Sequence, residues 1–103
     1  MSSHKFTLEL SRLAQRDFRD ILSYTVQMWG ERQLAEYRDV IDGVLQTIAE
    51  NPHLGRKRED SNLLCQRAGQ HLIFYQISGE TVYVVRLLHS QMDSDFHLGT
   101  GPK

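Results

Sequence analysis

The chain has one cysteine in 103 residues, so no internal disulfide can staple it. A lone thiol fits a reducing compartment. Charge of either sign is not in excess, because 12 Lys and Arg stand against 13 Asp and Glu for a net charge of −1. Such a balance gives no global reason to bind nucleic acid or a membrane surface. No apolar run approaches the ~20 residues that a membrane-crossing helix needs. Met1-Ser2-Ser3-His4-Lys5 leads into no apolar segment of the signal-peptide kind. The expectation is therefore a cytoplasmic location. A glycine-rich phosphate loop, a GxSxG turn and an HExxH pair are all missing. His53, His71, His89 and His97 lack the close paired spacing of metal ligands, so no metal and no cofactor is expected. The length suits one domain spanning residues 1–103, with 99–103 a loose tail.

What is present is a pair of strand-like runs. His71-Leu72-Ile73-Phe74-Tyr75-Gln76-Ile77 and Thr81-Val82-Tyr83-Val84-Val85-Arg86-Leu87-Leu88-His89 are rich in the β-branched and aromatic residues that suit a pleated surface. Between them Gly79-Glu80 has the glycine-first form of a type II′ turn, which predicts a tight antiparallel hairpin. A regular register then sets Ile77 opposite Val82, Tyr75 opposite Val84, Ile73 opposite Arg86 and His71 opposite Leu88. It puts His71, Tyr75 and Arg86 on one face and His89 on the other. Both faces come out apolar. Helices can cover only one, so the other is either an exposed patch or covered by a partner or the tail.

Upstream, Phe6 to Leu10 alternates as a short strand. Ser11 is an N-cap candidate for a helix whose stripe is Ala14, Phe18, Ile21, Leu22 and Thr25, running on to Met28 and Trp29. Gly30 closes it, with Trp29-Gly30 read as core plus cap. A second helix carries Leu34, Tyr37, Ile41, Val44, Leu45 and Ile48 on its stripe and stops at Asn51-Pro52. Mid-helix Gly43 suggests a close approach to a neighbouring element. Residues 53–62 read as a polar loop holding Arg56-Lys57-Arg58, and 63–67 as the next strand, in which Cys65 is a small buried hydrophobe. Ser90 to Leu98 reads as irregular or one helical turn. The expected fold is α+β, with order β-α-α-β-β-β and a helical hairpin on one face of a small antiparallel sheet.

Arg67, His71, Tyr75, Arg86 and His89 fall on the last three strands. Arg, His and Tyr together can supply the base, the acid and the cation for RNA cleavage. A plainer reading stands beside it, with satisfied strand-end histidines and Arg86 paired to an acid.

Several stretches together resemble the ParE toxins of the RelE/ParE superfamily. They are Trp29-Gly30, Tyr37, Asn51-Pro52-His53-Leu54-Gly55, Gly69-Gln70-His71-Leu72-Ile73-Phe74-Tyr75 and Val85-Arg86-Leu87-Leu88-His89-Ser90-Gln91-Met92-Asp93. The resemblance runs from about Phe6 to Leu98. It implies the toxin of a type II toxin–antitoxin system, neutralised by an antitoxin that wraps its C-terminal segment over the toxin in a hetero-oligomer. ParE-like toxins are linked to DNA gyrase, whose cleaved-DNA complex they stabilise, and they act as binders rather than enzymes. RelE-like relatives cut messenger RNA on the ribosome with a Tyr near the end of the last strand, often beside a His. Here His89 matches that His, but Ser90 stands where the Tyr would be. The gyrase-directed toxin is therefore preferred, with the endoribonuclease second and an inactive toxin-fold binding module third.

In the nuclease reading the catalytic residues would be Arg67, Arg86 and His89. The target-binding candidates are Arg56, Lys57, Arg58, Arg67, Arg86, His89, Met92 and Asp93. The antitoxin-binding candidates are Ile73, Tyr75, Ile77, Val82 and Val84. Replacing Arg86 by Ala is expected to weaken toxicity and leave the fold intact.

Overall fold

The computed structural model describes residues 5–58 and 61–92. Strand β1 (Thr7–Leu10) leads into helix α1 (Arg12–Trp29) and helix α2 (Glu31–Glu50). A single 3-10 turn (Pro52–Leu54) follows, then β2 (Arg56–Lys57), β3 (Leu64–Ala68), β4 (His71–Ser78) and β5 (Thr81–His89), and a last 3-10 turn (Ser90–Met92). The five strands form one sheet in the order β1-β5-β4-β3-β2.

Local chemistry sets the helix ends as the sequence suggests. The Ser11 side chain accepts the Ala14 amide at 2.9 Å. Gly30, at φ +90°, ends α1 and starts α2 with nothing between them, a backbone state that favours glycine. On α1 the buried positions are Ala14, Ile21 and Thr25, and on α2 they are Ile41, Leu45, Ile48 and Ala49. These stripes pack with Ala68, Ile73, Tyr75, Val82, Val84 and Leu87 in the main core.

Several expectations need correction. The sheet is mixed, because β1 lies parallel to β5 while the other pairs are antiparallel. The two helices carry the chain back across the sheet, so β1 joins it at the far edge. The segment expected to be a polar loop contains β2, which pairs Arg56 with Cys65 and Lys57 with Leu64. Trp29 is not core but 67 % exposed. Nothing lies close to Gly43, so no close approach explains it.

The register is the largest difference. Ile77↔Val82 and Tyr75↔Val84 pair as expected, and Gly79 turns the hairpin at φ +62°. The ladder then shifts, so that Phe74 pairs with Arg86, Ile73 with Leu87, Leu72 with Leu88 and His71 with His89. One extra residue in β5 is a β-bulge, and it moves the rest of the strand to the other face.

Beside the bulge, where β1 ends, the N-cap and first turns of α1 contact β5. Ser11 donates its amide to the Val84 carbonyl at 2.9 Å and its hydroxyl to the Val85 carbonyl at 2.8 Å. Asp17 accepts the Leu87 amide at 3.0 Å. The same carboxylate accepts Arg86 Nε at 2.7 Å and Nη2 at 3.1 Å, a bidentate pair that is only partly exposed.

The far face of the sheet holds a second cluster of Leu63, Cys65, Leu72, Phe74 and Leu88, all of them buried. The Arg58 guanidinium lies 5.4 Å from the centroid of the Phe74 ring. This face is therefore not a broad exposed apolar patch. The tail that the sequence reading offered as one possible cover lies outside the described residues.

Arg86→Ala removes both charge-assisted bonds and leaves the Asp17 carboxylate partly desolvated. It is expected to cost about 2 kcal/mol in urea unfolding, which replaces the expectation of an intact melt. Loss of activity at an unchanged urea midpoint would show that the pair carries no structural weight.

Candidate functional site

The bulge has a direct chemical consequence. It places His89 beside His71, with ring centroids 5.3 Å apart and planes at 78°. Tyr37, from the first half of α2, completes the group with its ring 5.5 Å from that of His71. The Tyr37 oxygen lies 2.6 Å from His71 Nδ1, 2.8 Å from the Gln70 amide and 3.1 Å from the Ala68 carbonyl. All three contacts are hydrogen bonds in one arrangement. The hydroxyl donates to Ala68 O and accepts from the Gln70 amide and from His71 Nδ1–H.

Tyr37 thus grips the β3–β4 turn. Gly69 in that turn is at φ +62°, and a Cβ there would sit 2.6 Å from Tyr37 Cε1. Burial raises the Tyr37 pKa, against the pull of the Gln70 amide and the nearby Arg67 charge. The same physics lowers the His71 pKa to about 4, through desolvation first and the neighbouring His89 second, with Asp17 opposing. His71 is therefore neutral at pH 7. His89 Nδ1 accepts the Gln91 amide at 3.1 Å, which puts the proton of a neutral His89 on Nε2.

Around this group is an open cleft of about 390 Å³. Its walls are Tyr24, Thr25 and Trp29 from α1, Gln33 and Tyr37 from α2, and Gln70, His71 and His89 from the strand ends. Among the described residues no Lys, Arg, Asp or Glu lines it. The clustering of neutral polar groups with exposed aromatic rings suits recognition of a ring with a polar edge.

The nuclease candidates do not converge. Arg67 pairs with Leu72, and Leu72 with Leu88, so the register sets Arg67 on the far face, while His89 shares the near face with His71. Arg67 Nε turns back onto the Gly69 carbonyl at 2.9 Å. Arg86 is held by Asp17.

Arg56 and Lys57 occupy the edge strand β2, both exposed. Arg56 and Arg67 line a groove of about 330 Å³ with Leu54, Gln66 and Leu72. Lys57 and Arg58 line a separate hollow of about 430 Å³. Arg56, Lys57 and Arg58 thus share the outer part of the sheet, while Arg67 also reaches the β3–β4 turn beside Tyr37. Met92 ends the last 3-10 turn, and Asp93 lies outside the described residues.

Ile73, Tyr75, Val82 and Val84 are fully buried in the main core, and Ile77 packs against it. The expectation that they offer an exposed surface is corrected, because the helical hairpin covers that face. Tyr75 is instead a second clamp. Its hydroxyl donates to the Pro52 carbonyl at 2.6 Å and accepts Gln66 Nε2 at 3.1 Å. A Cβ on Gly55 would collide with that hydroxyl.

Sequence reasoning missed Asp17 and the cleft's Tyr24, Gln33 and Gln70. For Asp17 a signal was there, since it follows Ala14 by three and precedes Ile21 by four, on the apolar stripe of α1. An acid on that stripe calls for a partner.

A helical hairpin on a small mixed sheet is the architecture of known toxin–antitoxin proteins. A chromosomal ParDE toxin–antitoxin system from P. aeruginosa superposes with a TM-score of 0.72 at 16 % identity, covering 84 % of this chain and 98 % of the other. The toxin–antitoxin complex RelBE2 of Mycobacterium tuberculosis gives 0.61 at 22 % identity, covering 85 % and 94 %. At sequence level, the family described as the ParE toxin of the type II toxin–antitoxin system parDE matches residues 8–94. Toxin ParE1 of Caulobacter vibrioides is 37 % identical over 92 residues, which are 87 % of this chain and 95 % of that protein. Toxin ParE1 of Mycobacterium tuberculosis is 35 % identical over 92 residues, 86 % and 94 % of the two chains. The chain belongs to the ParE toxin family of type II toxin–antitoxin systems.

The low His71 pKa fixes a sign for pH dependence. The unfolded chain takes up the proton near 6.5 and the folded chain only near 4, so stability falls as pH drops through that window and levels off below it. Urea midpoints measured from pH 7.5 to 4 should show this fall, and His71→Gln should flatten the part due to this group. A midpoint as pH-dependent in His71→Gln as in the native protein would reject the assignment.

Gly69→Ala meets both a positive φ and the Tyr37 ring, so it should cost more than the ~1 kcal/mol expected of Gly79→Ala, which meets open space. Equal costs in paired thermal melts would show that Tyr37 moves aside freely.

Proposed function

We propose that this toxin acts as a binder of DNA gyrase, stabilising the cleaved-DNA complex without chemistry of its own, and that a cognate antitoxin neutralises it. The membership in the ParE family carries this reading. Geometry supports the non-enzymatic part. A nuclease needs its acid, base and cation around one phosphate, whereas the Arg67 side chain is turned back onto the Gly69 carbonyl and Arg86 is tied to Asp17. Ser90 stands where the RNA-cutting relatives carry a tyrosine.

For gyrase, the contact surface proposed is the basic outer part of the sheet, with Arg56, Lys57, Arg58 and Arg67. For the antitoxin, the proposed surface moves from the buried strand residues to exposed apolar side chains of the helices, among them Leu13, Met28, Trp29 and Val40. A wrapping segment would gain by burying them. A cytoplasmic site of action fits this role, and among the described residues no helix is long and apolar enough to cross a membrane.

Purified gyrase titrated with antitoxin-free protein should lose supercoiling activity and accumulate cleaved DNA. Arg67→Ala should raise the amount required, with a larger effect at low salt than at high salt. Absence of any effect at high excess of folded protein, together with cleavage of messenger RNA on ribosomes, would overturn the proposal.

A further inference from the structure

The cleft between the helical hairpin and the ends of β4 and β5 has no part in the gyrase reading, yet it is built to hold something. Two aromatic rings stand open at its wall, Tyr24 at 60 % and Trp29 at 67 % exposure. Exposed aromatic side chains at a concave site are the residues that dominate protein–protein binding energy. Beyond the rings, the cleft offers polar groups of defined sense. With the Tyr37 hydroxyl donating to Ala68 O, His71 Nδ1 carries the ring proton and Nε2 is left as an acceptor. The Gln91 amide uses His89 Nδ1, which leaves Nε2–H of His89 as a donor. One acceptor and one donor on rings 5.3 Å apart match a group that both donates and accepts at a single oxygen.

We propose that this cleft is an anchor site for a tyrosine side chain of a protein partner, its ring against Trp29 and Tyr24 and its hydroxyl between His71 and His89. A phenol fits the donor–acceptor pair where phenylalanine leaves both imidazole nitrogens unmatched. A nucleotide is disfavoured by charge, because a base arrives with phosphate and among the described residues no Lys or Arg lines the cleft. A carboxylate or ammonium ligand would find no counter-charge among the lining residues for the same reason. The proposal rests on the toxin reading only in supposing that the partner is a protein, and its test uses no gyrase.

Trp29 is the only tryptophan in the chain, so its fluorescence reports on the cleft alone. The full chain should be titrated with N-acetyl-tyrosinamide, N-acetyl-phenylalaninamide and adenosine monophosphate. Trp29 emission, excited where tyrosine does not absorb, and the imidazole resonances of His71 and His89 would be followed. The tyrosine probe should perturb all three residues and bind about fivefold more tightly than the phenylalanine probe. Trp29→Ala, read by NMR, should weaken the tyrosine probe about fivefold. His89→Phe should bring the two probes to parity without weakening the phenylalanine probe. Equal binding of the two probes by the native protein would overturn the proposal. So would a stronger response to adenosine monophosphate, which would make the cleft a nucleotide site. No response in a protein whose melt is native would dispose of the site altogether.

Discussion

The bulge in β5 and the Asp17 carboxylate that holds it are the constraint on which the rest depends. A strand with one extra residue must do something with the backbone groups it takes out of register. Here the bulge sits beside the N-cap and first turns of α1, where Ser11 and Asp17 bond β5. The same contacts fix α1 against the sheet. Three bonds converge on a single carboxylate at the edge of the core, two from Arg86 and one from the Leu87 amide. Carboxylates so engaged contribute more than an exposed ion pair, because both partners have given up part of their water.

Two tyrosines do for α2 what Ser11 and Asp17 do for α1. Tyr37, early in the helix, grips the β3–β4 turn through Gly69, Gln70 and His71. Tyr75, from the middle of β4, grips the 3-10 turn just past the helix end through Pro52, with Gly55 leaving it room. In both cases a tyrosine side chain occupies the space that a Cβ on the glycine would need. The helical hairpin is thus tied to the sheet at both ends by polar contacts, over a core that is mainly aliphatic. Such contacts fix orientation, which burial alone leaves loose.

Much of this was legible in the residues. The amphipathic stripes, the Ser11 cap, the Gly79 turn and the run of strands follow from local chemistry, and they appear in the structure where that chemistry puts them. What was hidden is non-local. Nothing in Val84-Val85-Arg86 announces a bulge, and the carboxylate that bonds the strand just past it is 70 positions away in sequence. The regular register consequently put His71 and His89 on opposite faces and hid the cleft. The direction of β1 was hidden for a similar reason, because two helices set it. For Ile73, Tyr75, Val82 and Val84 the sequence could not tell which apolar face of the hairpin the helices cover, and the structure covers theirs. The basic residues are a different case. Arg56, Lys57 and Arg67 stand exposed as a charged surface should, but exposure alone does not say what they meet.

As a ParE-family toxin, the protein presents three surfaces of different chemistry. They are a basic outer sheet, exposed apolar side chains on the helices, and, sharing Trp29 with these, an aromatic cleft in which the bulge places His89 beside His71. The central claim is therefore the register of β5, and it can be read directly. A two-dimensional NOE spectrum of the native protein should show contacts between the ring protons of His71 and His89, and between the backbones of Ile73 and Leu87. A spectrum linking Ile73 to Arg86 and His71 to Leu88, with no contact between the imidazoles, would mean a regular ladder. The cleft, the role of Asp17 and the account built on them would then be wrong.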